Sequence, residues 1–457
     1  MTAFHFIGIG GAGMSVVADL LAARGQSISG SDNRASDTTR RLQEAGIDVA
    51  IGHDAANVPA DAVVVVSSAI RETNPELALA RGRGQTILHR SQALALAAAG
   101  MDFVAVAGAH GKTTTSAMIA TALRQAGEDP SWAIGGTVMG VGGGAHLGQG
   151  RVFVAEADES DASFLNYEPR LALVTNVEPD HLDHYGSREA FEDAFVQFAH
   201  RIVPGGLLVA CADSEGSRSL ARQAASEGIR VVTYGFGEAV DGAQRHVRVT
   251  LDRAGAHGID GSFDDGLGPV AVRLAVVGQH NLLNAAGAWA AGVELGVDRA
   301  AMADALASFA GTGRRFELRG SARGVRVVDD YAHHPTEIEA TLRAARAVAG
   351  DGRLRVLFQP HLYSRTHNFA AEFAKALSLA DDVVVTAVYA AREDPIEGVE
   401  SDIITQRMDG RARFVRERMD AARDIASRAQ GGDLVLTVGA GDVTELGPVI
   451  LEELEAQ

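Results

Sequence analysis

Phe103-Val104-Ala105-Val106-Ala107-Gly108-Ala109-His110-Gly111-Lys112-Thr113-Thr114-Thr115 is an apolar run that breaks into a glycine loop and resumes as a helical stretch. The run Phe103–Ala107 predicts a buried strand, and the stretch beyond the loop predicts a helix from about Ser116. Glycines let backbone N–H groups close around phosphate oxygens, Lys112 adds a positive charge, and a threonine hydroxyl stands where it reaches Mg2+. The generic phosphate loop has glycine where this chain has Val106, so the loop is a shorter variant. A turn that needs glycine only for its own geometry is the other reading. Lysine usage weighs against it: of 41 Lys and Arg residues, only Lys112 and Lys375 are lysines.

Outward from this segment the same pattern repeats. Strand-like runs at Phe4–Ile7, Ala62–Val66, Val152–Ala155, Leu171–Thr175, Leu207–Ala210, Val325–Val328, Arg355–Phe358, Val383–Val388 and Leu434–Val438 alternate with Ala/Leu-rich helical stretches. That alternation predicts parallel sheets with crossover helices, an α/β fold. Nearly every run ends in a polar or glycine-rich cluster, and ligands of open α/β sheets bind at those carboxyl ends. The stretch from about Gly237 to Val277 is different, rich in Gly, Asp, His and Arg, and predicts antiparallel hairpins. Boundaries are expected near Gly100 and near Gly311-Thr312-Gly313, dividing 457 residues into three α/β units.

The chain carries a net charge of −18, which argues against nucleic acid or an anionic membrane surface as a partner. Phosphate-bearing ligands must therefore be held by local devices. One cysteine, Cys211, excludes an internal disulfide and a multi-cysteine zinc site. The apolar runs are too short to span a bilayer, and the start lacks the basic and apolar regions of a signal peptide, so a cytoplasmic protein is expected. The oligomeric state stays open.

Three further groups carry chemistry. Gly8-Ile9-Gly10-Gly11-Ala12-Gly13-Met14-Ser15 follows a strand and opens a helix, as in loops that bind nucleotide diphosphates, and Asp32 stands where an acid contacting a ribose would lie. A glycine turn required for packing is the alternative. Glu156, Asp158, Glu159 and Asp161 end one strand, and Asp180, His181, Asp183 and His184 follow the next. If these strands are neighbours, their carboxylates beside a phosphate loop suit Mg2+ better than zinc. Late in the chain come His280, Asn281 and Asn284, then Arg314-Arg315-Phe316-Glu317, then Asp329-Asp330-Tyr331-Ala332-His333-His334-Pro335, then His361 and Arg365. Helix capping by the asparagines or histidines, and a plain surface pair for the arginines, remain alternatives.

The segments GIGGAGMS, GAHGKTT, EADESDASF, NVEPDHLDH, GQHNLLNA, GRRFE, DDYAHHPTE and QPHLYSRT, in this order, resemble those of the Mur ligases, over essentially the whole chain. The resemblance implies three domains: a Rossmann-like N-terminal domain at 1–98 for a UDP-sugar, a central P-loop-type ATPase with a mostly parallel sheet at 99–313, and a Rossmann-like C-terminal domain at 314–457 that closes over ATP and the amino acid. It implies an ATP-dependent ligation with Mg2+ as cofactor and UDP-N-acetylmuramate, L-alanine and ATP as substrates. Carried onto this sequence, Gly108, Ala109, His110, Gly111, Lys112, Thr113, Thr114, Asn281 and Asp330 bind ATP, and Thr113, Glu156 and His181 hold the metal. Gly10, Gly11, Ala12, Gly13, Met14, Asp32, Ser67 and Ser68 hold the UDP-sugar. Tyr331, His333 and Arg365 lie at the acyl end, and Lys112, Arg315 and His333 are catalytic. The segment from His181 to Ile202 contains no lysine, so the carbamoylated lysine of several relatives is absent here.

A nicotinamide-dependent dehydrogenase accounts for GIGGAG but leaves the phosphate loop and the acidic cluster without a purpose. A P-loop switch protein accounts for GAHGKTT but not for a second nucleotide-type loop. The nearest rival is the related ligase that recycles a tripeptide onto the same UDP-sugar.

Overall fold

The computed structural model describes residues 2–180, 182–391 and 393–457. Its packing forms two compact units, one of residues 1–250, 262–272 and 283–309, the other of residues 251–261, 273–282 and 310–457. Among the described residues no helix is long and apolar enough to cross a membrane.

The first unit opens with β1 (Ala3–Ile7), β2 (Ser27–Asp32), β3 (Asp48–Ile51), β4 (Val63–Val66) and β5 (Ile87–His89), in sheet order β3-β2-β1-β4-β5. All pairs are parallel. Order therefore reverses at β1, the strand that runs into the GIGGAGMS loop, and such a reversal opens a crevice for ligands.

A ten-stranded sheet follows. Its strands are β6 (Asp102–Ala107), β7 (Ser131–Ala133), β8 (Ala145–His146), β9 (Val152–Glu156), β10 (Leu171–Val174), β11 (Leu207–Cys211), β12 (Arg230–Gly235), β13 (Arg245–Gly255), β14 (Gly258–Asp264) and β15 (Val270–Leu274). The order is β15-β14-β13-β12-β11-β10-β6-β9-β7-β8. The strands β9 and β10, read from sequence as neighbours, are separated by β6, which pairs in parallel with both. The phosphate-loop strand thus lies between the two acidic strand ends, an arrangement that brings both closer to the loop. The segment read as hairpins contains β13 and β14, joined by two residues, a link short enough to allow only antiparallel pairing. Yet β13 enters the sheet parallel to β12.

Phe4, Phe6 and Leu21 from the first sheet and its helix share one buried cluster with Phe103, Phe153, Phe164 and Phe195. The two sheets therefore share one core.

In the second unit, β16 (Glu317–Ala322), β17 (Val325–Asp330), β18 (Leu354–Phe358), β19 (Asp382–Val385), β20 (Ala412–Phe414) and β21 (Leu434–Val438) take the order β16-β17-β21-β18-β19-β20. Only β16 is antiparallel. Successive residues feed opposite layers: Leu434, Leu436 and Val438 pack on Ile338, Leu342 and Phe373, while Val435 packs on Ile425 and Ile450. Covering both faces explains why these strands read as unbroken apolar runs rather than as alternation. The α/β class expected from sequence is the one observed.

Candidate active site

The loop after β6 is built by its two glycines. Gly108 has φ +132° and Gly111, immediately before the helix Lys112–Gln125, has φ +85°. The helix starts at Lys112 rather than near Ser116, so the lysine and Thr113 occupy its first turn, where N–H groups have no intrahelical partner. Neighbouring strand ends hold the loop open. The His110 carbonyl accepts from Thr175 Oγ1 at 2.6 Å and Asn176 Nδ2 at 2.9 Å, and His110 N donates to Asn176 Oδ1 at 3.0 Å. Asn176 was not singled out from sequence; its place in NVEPDH, one residue past a strand, is the only signal it leaves.

Lys112 Nζ folds back on its own loop, donating to the Gly108 carbonyl at 2.6 Å and to Glu159 Oε1 at 2.8 Å. Burial disfavours its charge, but the Glu159 and Asp158 carboxylates outweigh that and hold its pKa above the usual lysine value. Thr113 Oγ1 donates to Glu156 Oε2 at 3.1 Å, and Gly135 N donates to Glu156 Oε1 at 2.7 Å. A hydroxyl and a carboxylate meeting in the first turn of a phosphate-loop helix form an oxygen-only donor set, the chemistry Mg2+ prefers. His181, expected beside them, lies outside the described residues. Asn284 is not a cap; it lies within the helix Gln279–Glu294, and its side chain lies over Gly111.

A methyl group at Gly108 would overlap Thr175 Oγ1 and press on the Asn176 peptide. We expect Gly108→Ala to weaken nucleotide binding about tenfold or more, since strain of this kind costs roughly 1–3 kcal/mol. Titration of the variant with ADP by calorimetry checks it.

At the first sheet, Gly8 N and Ile9 N donate to the Ser31 carbonyl at 2.8 and 2.9 Å. Asp32 Oδ2 accepts from Gly10 N at 2.9 Å, so this carboxylate shapes the loop itself. Gly11 and Ala12 are exposed and Gly13 half-buried, whereas the Met14 side chain is in the core, leaving its backbone N–H as the group it offers. Ser68 Oγ reaches Asp161 and the His89 ring, while the Ser67 carbonyl closes a turn onto Ile70 N.

The second unit carries its own cluster. Arg314 and Phe316 have φ of +59° and +52°, a left-handed backbone on both sides of Arg315. The twist is held by Arg314 Nε on Asp329 Oδ2 at 3.2 Å, Arg314 Nη2 on the Gly439 carbonyl at 2.8 Å, and Phe316 N on Asp330 Oδ2 at 2.8 Å. The two guanidiniums lie 4.9 and 5.0 Å from the Tyr331 ring centre. Asp330 also accepts from Ala332 N and Thr341 Oγ1. Burial pushes its pKa up to about 6, against Arg315 and these N–H groups.

His333 packs edge-on to Tyr331 and His361, and its Nδ1 lies 3.1 Å from the Tyr331 carbonyl. A neutral ring there donates from Nδ1 and leaves Nε2 as acceptor. Burial drives its pKa down to about 3, against Glu337 and with help from Arg365 and His361, so it is a weak proton acceptor. His280, in the same unit, is likewise pushed down to about 4 by burial and by Arg315. Arg365 is buried with Nη1 3.5 Å from His361 Nδ1. His334 precedes the helix Pro335–Ala349, and Glu337 accepts from the His333 and His334 N–H groups. Asn281 Nδ2 donates to the Val277 carbonyl at 2.7 Å.

Sequence profiles described as the Mur ligase family catalytic domain, middle domain and glutamate ligase domain match residues 3–101, 106–292 and 314–441. UDP-N-acetylmuramate–L-alanine ligase of Renibacterium salmoninarum is 54% identical over 98% of this chain and 95% of its own length. The enzyme of that name from Kineococcus radiotolerans is 56% identical over 98% and 96%. The crystal structure of UDP-N-acetylmuramate-alanine ligase MurC from Thermotoga maritima superposes with a TM-score of 0.81 at 29% identity, covering 100% of both chains. A murein peptide ligase from Psychrobacter arcticus superposes at 0.72 and 26% identity, over 100% of this chain and 99% of that one. With a phosphate loop between two acidic strand ends, a glycine loop on a separate sheet, and relatives matched from end to end, the chain belongs to the Mur ligase family.

Proposed function

We propose that this chain is an ATP-dependent ligase that joins L-alanine to UDP-N-acetylmuramate in peptidoglycan synthesis. The observation that carries the proposal is the loop of Lys112 and Thr113, flanked by Glu156, Asp158 and Glu159, in one unit with the GIGGAGMS loop. Relatives above half identity that bear the name of this reaction support it.

In this reading the lactyl carboxylate attacks the γ-phosphorus of ATP, giving an acyl phosphate and ADP. The alanine amine then attacks the acyl carbon, phosphate leaves with the C–O electron pair, and the amine loses a proton to solvent or base. Lys112, released from Glu159, neutralises the β- and γ-phosphate oxygens, and the loop N–H groups fix the line of attack. Thr113 and Glu156 are the residues that would hold Mg2+, which when bound neutralises phosphate charge. Arg315, presented by its twisted backbone, meets the transferred phosphoryl group, and Asn281 and Asp330 are assigned to ATP. The Asp330 carboxylate acts chiefly by holding the Arg314–Phe316 turn. Tyr331, His333 and Arg365 line the acyl end. With a pKa near 3, His333 orients the amine through Nε2 rather than storing its proton. Gly10 to Met14, Ser67 and Ser68 are assigned to the UDP-sugar, with Asp32 shaping the loop. The domain limits 1–98, 99–313 and 314–457 are proposed with these roles.

Phosphate release is expected only when ATP, Mg2+, UDP-N-acetylmuramate and L-alanine are all present, and NAD and NADP are expected not to bind. A coupled phosphate assay that omits each component, together with quenching of Trp132 or Trp289 fluorescence by the dinucleotides, tests this. Turnover with a tripeptide but not with alanine, or tight dinucleotide binding, overturns the reading.

A further inference from the structure

The GIGGAGMS loop and the first turn of its helix Ala12–Ala23 contain no charged side chain, in a chain of net charge −18. Backbone N–H groups and the helix terminus alone would face a diphosphate there. The missing cation comes from elsewhere in the fold. Arg90, first residue of the helix Arg90–Ala97, lies over Gly13 so closely that a Cβ on Gly13 would overlap its Nη1 and sit 3.1 Å from its Cδ. In GxGxxG loops the third glycine ordinarily serves close packing of helix on strand. In this chain it makes room for a guanidinium.

The other edge of the fork is already engaged. Arg90 Nη2 donates to Asp158 Oδ2 at 3.0 Å. Asp158 belongs to the acidic run beside the phosphate loop, where its Oδ1 accepts from Ser160 N at 3.1 Å. One carboxylate of the acidic run thus holds the arginine that lies over the diphosphate loop. Ser68 and His89 also contact Asp161, and Asn166 donates to Ser91, so the segment that follows β9 is fastened to those at the ends of β4 and β5 as well.

We propose that Arg90 is a substrate-binding residue for the diphosphate of the UDP-sugar, and that Asp158, from the ATPase cluster, is the positioning residue that aims it. This deepens the function proposed above and rests on it. A guanidinium suits the task because its donors form a rigid fork: one nitrogen stays on Asp158 while the other turns to phosphate. The two substrate sites then share a charged element, and filling one alters the charge balance at the other.

The test uses the full chain without ATP or Mg2+, so any effect of Asp158 on the uridine site is carried across this contact. Binding of UDP and of uridine is followed by NMR titration for the native protein, Arg90→Met, Arg90→Lys, Asp158→Asn and the double variant R90M/D158N. Arg90→Met is expected to weaken UDP by about tenfold to a hundredfold, as for loss of a charged hydrogen bond, and to leave uridine within about twofold. Retained uridine binding shows that the pocket is folded. Arg90→Lys, which keeps the charge and loses the fork, falls between. Asp158→Asn weakens UDP several-fold and not uridine, and the double variant is no weaker than Arg90→Met alone. Equal losses for UDP and uridine in Arg90→Met, or no loss for either, overturn the assignment of Arg90. Additive losses in the double variant overturn the role given to Asp158. A native protein that binds neither ligand overturns the UDP-sugar reading and this inference together.

Discussion

Lys112→Met is expected to lower the rate of ligation by about a thousandfold while UDP-N-acetylmuramate binds as before. Removing one preorganised charge or donor from a site where negative charge develops typically costs a factor of about a hundred to a thousand. Lys112 is the cation at the loop that directly abuts both Gly108 and Glu159. The substitution has a second consequence. Glu159, almost wholly buried, loses the Lys112 ammonium, and a carboxylate without that counter-charge repels the phosphates that the loop must accept. Rapid-quench measurement of acyl-phosphate formation, with calorimetry on the UDP-sugar, separates the two sites. Normal ligation by the variant, or a large loss of UDP-sugar affinity, would remove Lys112 from its assigned role.

The second large effect distinguishes two arginines that are adjacent in the chain. Arg315→Ala is expected to cost about a hundredfold to a thousandfold in kcat with the melting temperature unchanged, because its guanidinium is half-exposed and bound only loosely, 3.8 Å from Glu337. Arg314→Ala should act through stability. It strips Asp329, fully buried, of its only guanidinium among the described contacts, leaving the Thr437 and Thr444 hydroxyls at 2.6 and 2.8 Å. Breaking such a pair costs about 3 kcal/mol or more. It also frees the left-handed turn that presents Arg315, so activity falls too, but with a lowered melting temperature. Thermal unfolding and steady-state kinetics on both variants check this. If Arg315→Ala unfolds as early as Arg314→Ala, the division of labour between them is wrong.

The glycine loop was legible because its signal is local: an apolar strand, two glycines and a rare lysine within thirteen residues suffice to define strand and turn, though not the helix start, which lies at Lys112 rather than near Ser116. The same holds for the α/β class, since strands covered on both faces must be apolar throughout, and this shows as short unbroken runs along the chain. Local pattern could not show that β6 lies between β9 and β10, because strand order depends on crossover path and leaves no trace in periodicity. Nor could it separate Arg314 from Arg315, since the difference lies in a left-handed backbone imposed by Asp329, Asp330 and the Gly439 carbonyl, groups supplied by other strands. The strands β7 and β8 were missed because they are only three and two residues long, too short to show as an apolar run, although β7 is buried between β9 and the edge strand β8. Arg90 is the clearest case. It stands in no motif, 68 residues from Asp158, and acquires its place only when the helix after β5 is laid beside the loop after β9. Sequence determined where a glycine loop follows a strand and precedes a helix, because that depends on local backbone geometry. Tertiary structure decided which distant side chains share a site, because that depends on register and packing between elements that do not adjoin in the chain.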